Sequence, residues 1–105
     1  MIKGGHMMEL TSKQRAYLKS LAQKIDPIFQ LGKNGLTPEV TEAVGQALDA
    51  RELIKISVLQ NCLEDPRDMA GRLADRTKSV VVQVIGKKII LYKPAKKNPK
   101  ITLSE

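Results

Sequence analysis

The sequence predicts a single α/β domain with the order α-β-α-β-α-β-β and a mixed four-stranded sheet. Three observations lead there. Apolar residues recur at helical spacing in three separate segments, β-branched runs lie between those segments, and the last two runs are joined by Gly86-Lys87, a two-residue hairpin signal. The β-α-β-α-β portion favours parallel neighbours and the closing hairpin must be antiparallel, so the sheet is mixed.

Thr11 or Ser12 can cap the first helix, and Leu18, Leu21, Ala22 and Ile25 then fall at i, i+3, i+4 and i+7. Asp26-Pro27 stops it, because the residue before a proline is pushed out of the α region, and Ile28 to Leu31 reads as a short strand. Thr37 as N-cap, Pro38 at the first helical position and Glu39 in the first turn start the second helix. Its inner set is Val40, Ala43, Val44, Ala47 and Leu48, while Glu39, Glu42, Asp49 and Glu52 make its outer side acidic. Leu53 to Leu59 is a second strand, rich in β-branched residues. Asp65-Pro66 opens a third helix with Met69, Ala70, Leu73, Ala74 and Thr77 inward and Arg67, Arg72 and Arg76 outward. Val80 to Ile85 and Lys88 to Tyr92 form the hairpin, with Gly86 at the first central position of a type II′ turn.

A chain of 105 residues suits one domain. The first seven residues, MIKGGHM, read as a cloning leader before a natural start at Met8; residues 8–93 form the domain, and 94–105 a basic, flexible tail. Eighteen Lys and Arg against eleven Asp and Glu give a net charge of +7, which points to a polyanion, either nucleic acid or an anionic membrane surface. No apolar run approaches the roughly 18 residues needed to span a bilayer, and the N-terminus lacks a signal-peptide core, so the expected location is cytoplasmic. The single Cys62 can form no intramolecular disulfide and reads as a buried or edge residue.

Enzyme chemistry finds no support in the residues. The one histidine, His6, lies in the leader; no metal-ligand cluster, Walker motif, dinucleotide fingerprint or paired-carboxylate site stands out. No catalytic residue, metal, cofactor or small-molecule substrate is expected. What stands out instead is a basic first helix, with Lys13, Arg15 and Lys19 off the apolar stripe and no acid between Thr11 and Ile25. The second feature is the loop Gly32-Lys33-Asn34-Gly35 between the first strand and the second helix. Glycines at its ends let backbone amides turn toward one point, Lys33 adds charge, Asn34 can donate or accept, and the following helix adds the positive end of its dipole. Such a loop can cradle a phosphate, or it is a plain strand-to-helix turn.

The segments LTSKQRAYLKSLA, DPIFQLGKNGLTPEV, ALDARELIKI and VVQVIGKKIILYK, in this order and spacing, resemble the CRM domain, the chloroplast RNA splicing and ribosome maturation family. The resemblance runs from about Leu10 to Lys93. It implies a fold similar to the C-terminal domain of a bacterial translation initiation factor. It also implies RNA binding through the GKxG loop, here Gly32, Lys33 and Gly35 with Asn34 at the variable place, and through the basic first helix. Stand-alone members are prokaryotic, and the resemblance implies as partner the ribosomal RNA of large-subunit precursors; a monomer is expected. Gln23 and Arg51 stand where members often carry histidine. With only Tyr17, Phe29 and Tyr92 as aromatics, the residues themselves favour backbone recognition over base stacking. A basic adaptor for an acidic protein surface is the alternative.

Overall fold

Thr11 opens the first helix, α1 (Ser12–Ala22), through a reciprocal pair of bonds. Its hydroxyl accepts from the Gln14 amide at 3.0 Å, and its own amide donates to Gln14 Oε1 at 3.1 Å. Both amides belong to the helix start, which has no intrahelical acceptors for them. The helix ends before Asp26-Pro27, because the Lys24 and Ile25 amides bond back only three residues, to Leu21 and Ala22. The computed structural model describes residues 10–95 and 101; the leader, Met8 and the remainder of the tail lie outside the described residues.

β1 (Phe29–Leu31), α2 (Pro38–Arg51), β2 (Leu53–Val58), α3 (Pro66–Thr77), β3 (Val80–Ile85) and β4 (Lys88–Tyr92) follow, in the expected order. Thr37 caps α2 by accepting from the Val40 amide, Asp65 caps α3, and Pro38 and Pro66 occupy first-turn positions where a missing N–H costs nothing. At the hairpin, Gly86 has a φ of 54° while Lys87 does not enter the positive-φ region, as a type II′ turn requires.

The strand order is β1-β2-β4-β3, with β1 and β2 parallel and the β2–β4 and β4–β3 pairs antiparallel. The connection through α3 therefore leaves one strand position vacant beside β2, and the hairpin return fills it. Alternation along the strands divides the side chains between two faces. Ile54, Ile56, Val58, Ile89 and Leu91 pack against α2 and α3 through residues such as Leu48, Met69 and Leu73, with Cys62 buried among them. Leu53, Val82, Ile90 and Tyr92 face the other way and pack under Leu18 and Ala22 of α1.

The second face is unevenly covered. Leu53 and its partner Tyr92 are buried; in the middle, Ile90 is buried beside half-exposed Lys55; at the far end Ser57 is half-exposed, and Gln30, Lys88 and Ile85 are exposed. α1 packs over the Leu53–Tyr92 end of this face and leaves the other end open. Tyr92, whose alternation with apolar neighbours suggests half-burial, is only 2% exposed, and that burial together with the nearby Glu52 raises its phenol pKa.

Glu52 departs from its expected place on the acidic outer side of α2. It caps the helix at a φ of 69° and is 1% exposed. Its carboxylate accepts the amides of Ala95 and Ile101 at 3.0 and 3.1 Å, and its carbonyl accepts the Lys93 amide at 2.8 Å. A buried carboxylate is tolerated when its oxygens are hydrogen-bonded. Among the described tail residues, Ala95 and Ile101 are thus tied to the domain, and Ile101 packs on the α1 cluster. Substituting Glu52→Ala should lower the unfolding free energy by about 1–3 kcal/mol, since two amides lose their acceptor. A reduced denaturant midpoint at unchanged slope is the expected measurement.

Candidate nucleic-acid interface

Gly32-Lys33-Asn34-Gly35 closes as a β-turn, with the Gly35 amide donating to the Gly32 carbonyl at 2.9 Å. Neither Lys33 nor Asn34 takes a positive φ, while Gly35 sits at 61°, which suits a type I turn with glycine last. Lys33 and Asn34 are exposed and Gly35 is buried.

The connection between β2 and α3 lies against both glycines, tightly at Gly32 and closely enough at Gly35 to exclude a side chain. The Leu59 amide bonds the Leu31 carbonyl at 2.8 Å, which draws this connection alongside the loop. A Cβ at Gly32 would stand 3.1 Å from Asn61 Oδ1, and one at Gly35 only 1.8 Å from Glu64 Oε2. Glu64 reaches into the loop: its Oε2 accepts the Leu36 amide at 3.2 Å, while Arg72 holds Oε1 and also pairs with Asp68 at 3.2 Å. The Arg72 hydrogen bond first, and the Leu36 amide second, hold the Glu64 carboxyl below its ordinary value of 4.5. The same bond raises the Arg72 pKa.

The sequence suggested a loop whose amides converge on an outside anion, and the structure corrects part of this. The Gly35 and Leu36 amides are engaged internally, the second by a carboxylate of the protein itself. What the loop turns to solvent is Lys33 and Asn34. The signal for this arrangement lay in Glu64, which no local pattern ties to the loop; its distance of 28 residues from Leu36 hid the contact.

The cations of α1 have separate fates. Lys13 is exposed and Lys19 half-exposed. Arg15 turns onto the sheet, where its Nη1 donates to the Val81 and Val82 carbonyls at 2.8 and 2.6 Å. Those carbonyls lie at the bulge in β3, the edge strand, where the ladder with β4 shifts register. Nor does the structure bring α1 beside the loop. The helix covers the Leu53–Tyr92 end, whereas the loop follows Leu31, paired with Val58 at the other end of β2, about 16 Å away along an extended strand.

Three lysines that the sequence reading did not single out lie between. Lys55 and Lys88 project on the α1 side of the sheet, and Lys87 sits in the hairpin turn, whose carbonyl accepts the Val58 amide at 2.7 Å beside the GKNG end. A lysine at the centre of the apolar run Leu53-Ile54-Lys55-Ile56 was the available signal. On the opposite face, Glu39, Glu42 and Asp49 are exposed along α2. Among the described residues there is no group of three or more potential metal ligands, and no helix is long and apolar enough to cross a membrane.

Fold and surface together define a small basic α/β domain with a glycine-bounded loop at one end of its sheet and a cationic helix over the other. The chain belongs to the CRS1/YhbY (CRM) domain family, whose model matches residues 10–93. It is 49% identical over 94 residues to the "Probable RNA-binding protein YqeI" of Bacillus subtilis, covering 90% of this chain and 98% of that one. An "RNA-binding protein" of Haemophilus influenzae is 37% identical over 89 residues, 85% of this chain and 90% of that one. The solution structure of SAV1595 from Staphylococcus aureus, proposed to bind RNA, superposes with a TM-score of 0.77 at 46% identity, covering 91% of this chain and all of that one.

Three outcomes follow from the geometry. Gly35→Ala should destabilise the domain by about 1–3 kcal/mol through the positive φ, with the Glu64 contact adding to it, and thermal unfolding will register the loss. Arg15→Ala should cost about 1–3 kcal/mol in denaturant titrations, because two edge carbonyls lose a charged donor. For Glu64 the folded pKa lies below the ordinary 4.5, so its stabilising contribution is present above that pH and lost as pH falls through the folded value. The stability difference between the parent and Glu64→Gln should therefore be constant near neutrality and shrink on acidification below 4.5.

Proposed function

We propose that this protein is a non-catalytic RNA-binding protein that docks on structured ribosomal RNA during assembly of the large ribosomal subunit, as a cytoplasmic monomer. The observation that carries the reading is the sorting of charge by the sheet. On one side α1 presents Lys13 and Lys19 with no acid between Thr11 and Ile25; on the other, α2 presents Glu39, Glu42 and Asp49, and the α3 cations Arg67 and Arg76 are offset by Asp68 and Asp75. A polyanion is attracted to the first face more than to the second. The relatives named as RNA-binding proteins support RNA as that polyanion.

Lys33 and Asn34 make the phosphate contact at the loop, and Lys13 and Lys19 steer the encounter. Arg15 contributes to the field while fixing the β3 edge. Recognition runs through the RNA backbone and shape. Of the three aromatics Tyr92 is buried and Phe29 half-buried, which leaves Tyr17, 45% exposed, as a stacking surface. Crosslinking in cells followed by sequencing of the attached RNA tests the ribosomal assignment; association that survives ribonuclease would favour an acidic protein partner instead.

Affinity for structured RNA should fall with salt at a slope of about 0.7–0.9 per phosphate contacted. Lys33→Ala should weaken binding to all RNAs alike and lower that slope by about one unit, with the circular dichroism spectrum unchanged. Titrations at several salt concentrations decide it, and salt-independent affinity in the parent would refute the reading.

A further inference from the structure

The proposed function leaves a gap that the fold itself poses: the loop lysine and the α1 cations lie at opposite ends of the sheet. Between them, on the α1 side, is the part of the sheet that α1 does not cover. Gln30 pairs with Ser57 and Ser57 with Lys88, so these three form one row across β1, β2 and β4, spanning about 10 Å. Lys55 stands two residues back along β2 on the same face, about 7 Å from Ser57. Lys87 occupies the turn next to Lys88, and Lys33 lies three residues beyond Gln30.

The composition of this row is informative. Apart from exposed Ile85, which continues it onto β3, the row holds hydrogen-bonding groups and lysines and no carboxylate. Among the described residues the ion pairs are Arg72 with Glu64, Arg72 with Asp68 and Lys93 with Asp49, so Lys55, Lys87 and Lys88 have no acidic partner. Lys55 is the most telling. It stands half-buried on β2, a central strand, opposite buried Ile90, a position where a β-branched residue would pack better. A solvent-facing sheet surface ordinarily mixes charges of both signs across strands, since like charges opposite one another are unfavourable. Here cations accumulate without an acidic partner, on the part of the face between the loop end and α1.

We propose that this open end of the sheet, Gln30, Lys55, Ser57 and Lys88 with Lys87 in the adjoining turn, is an RNA-backbone contact surface that joins the GKNG loop to α1 into one continuous track. The inference rests on the RNA-binding reading and extends it. The lysines neutralise successive phosphates, while Gln30 and Ser57 supply donors for phosphate or ribose oxygens. With no aromatic side chain in the row, the track follows backbone and does not read bases.

The test compares charge-matched variants by RNA titration across salt concentrations. Lys55→Gln, Lys87→Gln and Lys88→Gln together remove three cations from the track; Arg67→Gln, Arg76→Gln and Lys78→Gln remove three exposed ones near α3 on the other face. The track variant should weaken binding and make the salt dependence shallower by about two to three units, and the α3 variant should change the slope by less than about one. Should the track variant fail to fold, the pair Lys87→Gln and Lys88→Gln, both at exposed positions, carries the test with an expected loss of about one to two units. Equal losses in both variants would mean that only net charge matters and would overturn the track. An unchanged slope in the track variant, with Lys33→Ala still weakening binding, overturns the track and leaves the RNA reading intact. Salt-independent binding by the parent overturns both.

Discussion

Everything that gives this protein its surface depends on β4 lying between β2 and β3. That placement buries β2 on both sides of its backbone and lets Ile56 and Ile89 build one core while Leu53 and Tyr92 build the other. It also carries the hairpin turn to the end of β2, where the Lys87 carbonyl bonds the Val58 amide. Without that pairing Lys87 and Lys88 would not stand at the end of the sheet from which the GKNG loop leaves. One hydrogen-bonded register thus fixes the hydrophobic interior and places the hairpin cations.

The GKNG loop gains its shape from a neighbour and not from its own sequence. Two glycines there first permit a close internal approach, by Asn61 at one end and Glu64 at the other. With a carboxylate bonded to the Leu36 amide, the protein itself supplies the anion at the inner side of the turn, held in place by Arg72. The outer side is left to Lys33 and Asn34. Under the proposed function, a phosphate at Lys33 and Asn34 would meet a turn already closed by its own hydrogen bonds, which lowers the ordering cost of binding.

Arg15 and Glu52 show how charged residues in a small basic domain take structural work. Arg15 satisfies carbonyls at a bulged edge strand, a position otherwise open to pairing with another chain. Glu52 accepts amides from the segment after β4 and so fastens Ile101 against α1. Neither can be counted as free surface charge.

The sequence by itself determined the elements and the family. Thr37-Pro38 and Asp65-Pro66 mark helix starts through local capping chemistry, Gly86 marks the hairpin through its positive φ, and the apolar periods assign Leu48, Met69 and Leu73 to the core, because each of these signals acts within a few residues. The motifs quoted from Leu10 to Lys93 carried the family, and the matched model covers that span. The strand order, the burial of Glu52, the engagement of Arg15 and the reach of Glu64 into the loop belong to the tertiary structure alone. Each depends on groups 28 to 67 residues apart, brought together by strand pairing that no local pattern encodes. The same holds for the surface: Lys55, Lys87 and Lys88 are ordinary lysines in the chain and come onto or beside one face of the sheet only once β4 has paired with β2.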